Sequence, residues 1–247
     1  MMYTRYRLAA RAAHGKRVLE LGCGAGQGLG MLGVAATAVV GGDYSLALLT
    51  SARSHYGRRF PLVRLSADAL PFPGAAFDLV LCFEASYYVP DMTQGFKEIV
   101  RVLSPGGTVL FVNANPERPD FIRSPHSVRY HAADEFRTAL GALAIEVAVE
   151  AGFPLDVHQP GAAGRIAGVI LSLARRMLQG LHLVPTTLRG RARLKRLVYG
   201  KLATVPAELQ EGFAREAARQ PMPPGPIRGF KVIYVSARKP GPAPASG

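Results

Sequence analysis

Glu20, Gly22, Gly24 and Gly26 stand at alternate positions behind the apolar pair Val18-Leu19. Each glycine removes a Cβ, so the backbone there can turn tightly and lie against a ligand. The bulky and β-branched residues before the turn suit a buried strand. Leu29 to Val34, after it, suit a first helix. A glycine-rich turn between strand and helix sets N–H groups and a helix N-terminus beside the ligand, a seat for a carboxylate or phosphate. Two ligand classes use such a turn. The dinucleotide fingerprint spaces its glycines G-x-G-x-x-G. Here the order is E-x-G-x-G-x-G, with an acid inside the strand end. A second acid, Asp43, follows at a spacing of about twenty residues, which suits a carboxylate reaching the ribose hydroxyls of an adenosine ligand. Asp43 equally suits a cap for the helix that begins at Ser45, and both roles stand at this point.

These residues need a scaffold, and the chain alternates strand and helix signals. Residues 3–15 set Tyr3, Tyr6, Leu8, Ala9 and Ala12 among Arg5, Arg7 and Arg11, the pattern of a short amphipathic helix. Residues 38–43 read as a second strand and Ser45 to Ser54 as the helix after it. Residues 62–65 and 77–83 read as strands, with Pro71 and Pro73 keeping the link between them extended. Asp91 is placed to cap a helix whose Phe96, Ile99, Val100 and Leu103 share one face. A Pro-Gly-Gly turn at 105–107 leads into a strand over 108–113. A helix over 133–143, a strand over 144–149 and a last strand over 230–236 complete the alternation.

The chain has 247 residues, enough for one sizeable α/β domain with an insertion. No stretch reaches the roughly 18 consecutive apolar residues of a membrane span. The longest candidate, Ile166 to Ala174, runs into Arg175-Arg176. The N-terminus carries no signal-peptide pattern. Cys23 and Cys82 fall in the glycine turn and in an apolar strand, and the histidines are scattered. Neither a disulfide framework nor a metal cluster is expected, and the expected compartment is the cytoplasm. The net charge of +13 permits nucleic acid, an anionic membrane surface or an acidic substrate as partner.

Three strings resemble, in order, the signatures of the class I S-adenosylmethionine (SAM)-dependent methyltransferases, of the small-molecule, methyltransferase type 11-like kind. They are Glu20-x-Gly22-x-Gly24-x-Gly26; Asp68-Ala69-Leu70-Pro71-Phe72 with Phe77-Asp78-Leu79-Val80; and Arg101-Val102-Leu103-Ser104-Pro105-Gly106-Gly107. The resemblance runs from residue 18 to 113, under half of the chain. It implies a Rossmann-like doubly wound α/β sheet, mostly parallel, with an antiparallel last strand at the edge and a helical insertion between the last two strands. It implies SAM as cofactor and S-adenosyl-L-homocysteine as product. Glu20, Gly22, Cys23, Gly24 and Gly26 would bind it on the turn, and Asp43 and Tyr44 after the second strand. Asp68 would accept from the adenine amine, as an acceptor-only carboxylate does, with the Ala69 N–H beside it. Phe83 and Glu84 complete that set. Residues 84–91 would lie along the cofactor, with Tyr87, Tyr88 and Tyr130 toward the acceptor. Candidates for a base are His126, His131, Tyr130 and Glu84. The family's N-terminal helical cap is longer than residues 3–15, so the lid is expected from elsewhere.

The expected organisation is a core over 1–151, a basic helical insertion over 152–229, a final core strand over 230–238 and a disordered tail over 239–247. Within the insertion, Ile166 to Leu183 and Ala192 to Leu202 read as helices. From Val157 to Ala207 there is no Asp or Glu, against nine Arg and Lys residues. That stretch is either a lid with a solvated basic face or a surface for an anionic substrate, carrier protein or membrane. The expected function is methyl transfer from SAM to a small-molecule acceptor, with O-methylation of a specialised metabolite or sugar favoured. RNA methylation is the alternative that the charge permits. However, Glu84-Ala85-Ser86-Tyr87 stand where base-directed amino methyltransferases carry Asn/Asp-Pro-Pro-Tyr, and no separate RNA-binding module is evident, so nucleic acid is not an expected partner. A SAM-binding protein that transfers no methyl would share the same core.

Overall fold

The computed structural model describes residues 1–155 and 206–241. Helix α1 (Met2–Ala12) precedes β1 (Arg17–Leu21), α2 (Leu29–Ala35), β2 (Ala38–Asp43), α3 (Leu46–Tyr56) and β3 (Leu62–Arg64). Then come β4 (Phe77–Phe83), α4 (Met92–Val102), β5 (Leu103–Ala114), α5 (Ala133–Gly141), β6 (Glu146–Pro154), β7 (Arg219–Pro221) and β8 (Phe230–Arg238). One sheet holds all eight strands in the order β3-β2-β1-β4-β5-β8-β6-β7. Strands β3 to β5 pair in parallel, and the β5–β8, β8–β6 and β6–β7 pairs are antiparallel. The strand order reverses between β1 and β4, and their C-terminal ends open the crevice where doubly wound sheets bind ligands.

The helices form two layers, as the apolar patterns require. Tyr6 and Ala9 of α1, Leu29 and Leu32 of α2 and Leu49 of α3 pack on one face with Val18, Leu79, Leu81 and Val112. Phe96, Ile99 and Val102 of α4 and Phe136 and Leu140 of α5 pack on the other, against Leu19, Val80 and Phe111. Asp91 caps α4, accepting from the Gln94 N–H at 3.0 Å.

Three expectations are corrected. The last strand is not at the edge: β8 lies between β5 and β6, and short β7 takes the edge. The reason is visible in β8 itself, where Val232, Ile233, Tyr234 and Val235 are all buried, so both of its faces need cover. The sixth strand starts later and runs further than expected, to Pro154, past the boundary drawn at residue 151. Lys239, placed in the tail by composition, is held instead: its N–H donates to the Gly107 carbonyl at 2.9 Å and its Nζ to the Val100 and Leu103 carbonyls at the end of α4. The helices expected over 166–183 and 192–202 lie outside the described residues.

Part of the chain expected as insertion, residues 206–218, runs back over α1 and α2. Leu209 is buried and its N–H donates to the Gln27 carbonyl at 2.7 Å. Tyr3 Oη accepts from the Gly212 N–H at 2.8 Å, and Thr4 Oγ1 from the Ala217 N–H at 3.2 Å. Arg7 pairs with Glu211, and Arg11 with Glu216 at 2.8 Å through Nη1. This strap supplies part of the support that a short N-terminal helix lacks.

Candidate functional site

The β1–α2 turn is built against β2. The Gly22 and Cys23 N–H groups donate to the Gly42 carbonyl at 2.8 and 3.0 Å, and Gly26 N–H donates to the Cys23 carbonyl. Gly22, at φ +73°, adopts the left-handed region, and a Cβ there would lie 2.4 Å from that of Ala85. That close approach brings the turn beside the segment after β4. The turn's amides thus hold its own shape more than the sequence implied.

Asp43, nearly buried at the end of β2, ties the turn down. Its Oδ2 accepts from the Gly24 N–H and its Oδ1 from the Ser45 N–H, both at 2.8 Å. A carboxylate offers about four acceptor positions, so two remain for a ligand. The cap of α3 is Ser45, whose hydroxyl accepts from the Leu48 N–H, so Asp43 is not the cap. A cavity of about 330 Å³ opens here, lined by Leu21, Gly22, Asp43, Tyr44, Ala67 and Tyr88 among others. That volume lies at the lower end of small-ligand sites, roughly 300–1,000 Å³. Tyr44 is 71 % exposed, with the Arg64 guanidinium 5.6 Å from its ring centroid. An adenosine-sized ligand would find a flat aromatic face and a carboxylate on the same rim. A larger hollow of about 560 Å³ lies between α1, α2 and the strap. Neither Asp43 nor any residue of the glycine turn lines it, whereas Gly22 and Asp43 both line the smaller cavity, which is therefore the candidate site.

Asp68 is half-buried on the loop after β3, and its Oδ2 accepts from the Asp91 N–H at 3.4 Å. The Ala69 N–H donates to the Ser66 carbonyl at 3.2 Å. The Cys23 thiol is buried, and burial pushes it well above the ordinary thiol range. Only its backbone belongs to the turn's surface. Burial likewise pushes Cys82 up to about 12, so neither cysteine is a nucleophile at neutral pH.

Glu20 is buried at 1 % exposure. Tyr6 donates its hydroxyl to Glu20 Oε1, while Oε2 has no partner. Burial raises the Glu20 carboxyl to about 7, against the pull of the Tyr6 hydrogen bond and Arg5. Tyr6 also packs edge-on against Phe83 at 5.4 Å, and a Cβ on Gly28 would lie 1.8 Å from its ring. The glycine at 28 therefore makes room for α1. Sequence reasoning placed Tyr6 on an apolar face and missed this bond, since nothing local marks a partner fourteen residues away.

Glu84, at the tip of β4, sits at φ +52°. A non-glycine residue pays about 1–2 kcal/mol for that conformation. Its Oε2 accepts from the Tyr87 hydroxyl at 2.8 Å, and its Oε1 lies 3.4 Å from Arg5 Nη1. Tyr87 is buried and stacks on Tyr130 at 4.1 Å; Phe121 meets Tyr130 edge-on at 4.7 Å. Tyr88 is 45 % exposed on the cavity wall and donates to Ser124 Oγ at 3.3 Å. The fold thus gathers Glu84, Tyr87, Tyr88 and Tyr130. His126 is exposed on the loop that leads to Tyr130. His131 packs edge-on between Phe96 and Phe136 with Nδ1 unpartnered, and desolvation lowers its pKa. Among the described residues no group of three or more His, Cys, Asp or Glu is placed to hold a metal.

The family described as Methyltransferase domain matches residues 19–111. The chain is 35 % identical over 107 residues to a malonyl-[acyl-carrier protein] O-methyltransferase of Legionella pneumophila, covering 41 % of this chain and 37 % of that one. It is 38 % identical over 115 residues to a fatty-acid O-methyltransferase of Mycolicibacterium smegmatis, covering 44 % and 41 %. Among solved structures, the YcgJ protein of Bacillus subtilis superposes with a TM-score of 0.62 at 18 % identity, covering 97 % of this chain and 99 % of that one. The match spans under half the length of these curated relatives.

Proposed function

Through residues 19–111 the chain belongs to the class I SAM-dependent methyltransferases, and from that premise we propose that it transfers a methyl group from SAM to an oxygen of a small-molecule acceptor. The observation that carries the reading is the Asp43 carboxylate, which braces the glycine turn and lines the adjoining cavity. When bound, SAM supplies a methyl group already activated by its sulfonium. The protein's task is then alignment and exclusion of water. Gly22 to Gly26 and Asp43 would seat the nucleoside half, with Tyr44 against the adenine and Asp68 on its amine. The buried Glu20 Oε2 has no partner, and with its carboxyl raised to about 7 it would complete its bonding as acceptor or as donor through a bridging water or ligand group. Glu84, Tyr87, Tyr88 and Tyr130 would wall the acceptor side.

Two similar proteins are O-methyltransferases by name, one acting on a malonyl carrier and one on a fatty acid, which favours oxygen over nitrogen or carbon. Aromatic walls and a half-buried carboxylate suit an acyl or aromatic acceptor, free or carrier-bound. Glu84, hydrogen-bonded to Tyr87, is the base candidate best placed if the acceptor needs deprotonation, a contribution of about 10² to 10⁴-fold. The test is release of S-adenosylhomocysteine from SAM with a panel of carboxylic acids, phenols and sugars. Turnover with at least one class is expected. Tight SAM binding with no product from any acceptor would replace transfer by a binding role.

A further inference from the structure

On the α1 face of the sheet a row of polar groups crosses the last strands. Strand register sets Phe83 beside Val112, Val112 beside Tyr234, and Tyr234 beside Glu150. On the next strand Arg219 stands opposite Gly152. A Cβ on Gly152 would lie 3.1 Å from the Tyr234 ring and 3.5 Å from Arg219 Cγ, so the glycine lets the arginine stem cross toward the tyrosine. The Arg219 guanidinium then sits 5.3 Å from the Tyr234 ring centroid. From above, α1 contributes Arg5, whose Nη1 is 3.4 Å from Glu84 Oε1.

Three donors in this row have no acceptor: the Tyr234 hydroxyl, Arg5 Nε and Arg219 Nη1, all buried. Tyr234 is 3 % exposed, and the two arginine side chains are 17 % and 15 % exposed. Arg219 Nη1 lies 3.7 Å from Glu150 Oε2, an ion pair too long for a hydrogen bond. Burial raises the Tyr234 hydroxyl to about 12, against the pull of the Arg219 and Arg5 guanidiniums. Buried donors of this kind are rare in folded proteins unless a ligand or water completes them. The carboxylates facing the row are Glu84 and Glu150, which balance the two guanidinium charges, while Glu20 also acts on Arg5, and Glu216, itself paired with Arg11, on Arg219. A doubly charged phosphate would therefore meet repulsion. A single carboxylate offers the acceptors that three donors need, and guanidinium N–H groups match its geometry.

We propose that Arg5, Tyr234 and Arg219 form the subsite that anchors a carboxylate of the methyl acceptor. This rests on the methyl-transfer reading, and adds to it a named place and a charge for the acceptor. It also gives the short N-terminal helix a function: α1 brings a guanidinium to the acceptor while Tyr6 holds the helix to Glu20.

The test is calorimetric titration of the S-adenosylhomocysteine-saturated protein with hexanoate, succinate and benzoate, each against its amide, and with inorganic phosphate. At least one carboxylate should bind about tenfold or more tightly than its amide, and Tyr234→Phe and Arg219→Gln should each weaken it about 10- to 100-fold. S-adenosylhomocysteine affinity should stay within about twofold in both variants, since neither residue lines the cofactor cavity. The proposal is overturned if no carboxylate binds, if acid and amide bind alike, if phosphate binds best, or if the variants bind as wild type. Failure of the protein to bind S-adenosylhomocysteine at all would instead strike the methyl-transfer reading, which separates the two.

Discussion

Glu20 carries the sharpest consequence at the scale of a single residue. Its carboxyl, about 4.5 when unfolded, is raised to about 7 in the fold by burial. The folded state therefore favours the protonated form. That contribution is full below pH 4.5 and is lost as pH rises to 7, after which it levels off. The loss amounts to about 3 kcal/mol. Glu20→Gln should remove that slope, so the gap between variant and wild type in urea unfolding should widen from pH 5 to pH 8 in the variant's favour. Parallel profiles would contradict the burial argument. Tyr6→Phe leaves Glu20 Oε1 without its donor and should cost about 1–3 kcal/mol at pH 8, with a smaller effect in the Glu20→Gln background. The acid and its glycines were legible from the sequence because backbone geometry there depends on residue type alone. The tyrosine partner was not, because a hydroxyl on an apolar helix face reads as packing until the strand beneath it is known.

At the scale of elements, the strap over 206–218 and α1 support each other. Burial of Leu209 over the glycine turn's helix should matter more than the strap's charges. Leu209→Ala should cost about 2–4 kcal/mol, as large-to-small changes in packed cores do. Arg11→Ala, at a half-exposed pair with Glu216, should cost under about 1 kcal/mol. Chemical denaturation of both variants checks the order, and equal losses would mean the strap is held electrostatically. Strands β1, β2, β4 and β5 were readable as apolar runs punctuated by glycine and proline. The place of β8 was not, since its pairing with β5 and β6 depends on chain segments far apart in sequence. Short β7 was missed because Arg219-Gln220-Pro221 carries no strand pattern. Its arginine became visible as a site residue only once the register set it opposite Gly152, from where its guanidinium reaches the Tyr234 ring.

For the whole molecule, charge is unevenly shared. The strap's Glu208, Glu211 and Glu216 face Arg59, Arg7 and Arg11, so these charges largely cancel. Much of the +13 excess lies in residues 157–207, which hold nine cations and no acid. Deleting residues 161–202 should leave S-adenosylhomocysteine affinity within about tenfold and abolish turnover; full turnover would show that the stretch plays no part in the acceptor site. If RNA were the acceptor, retention on RNA would fall steeply between 50 and 200 mM salt, by about 10³-fold or more for several phosphate contacts. A flat, weak response is expected. The most direct test of the central claim is calorimetric titration of S-adenosylhomocysteine into the wild-type protein and into Asp43→Ala and Asp68→Ala. The account predicts binding at one site per chain, weakened about tenfold or more by each substitution; no binding to the wild type, or the same affinity in all three proteins, would contradict it.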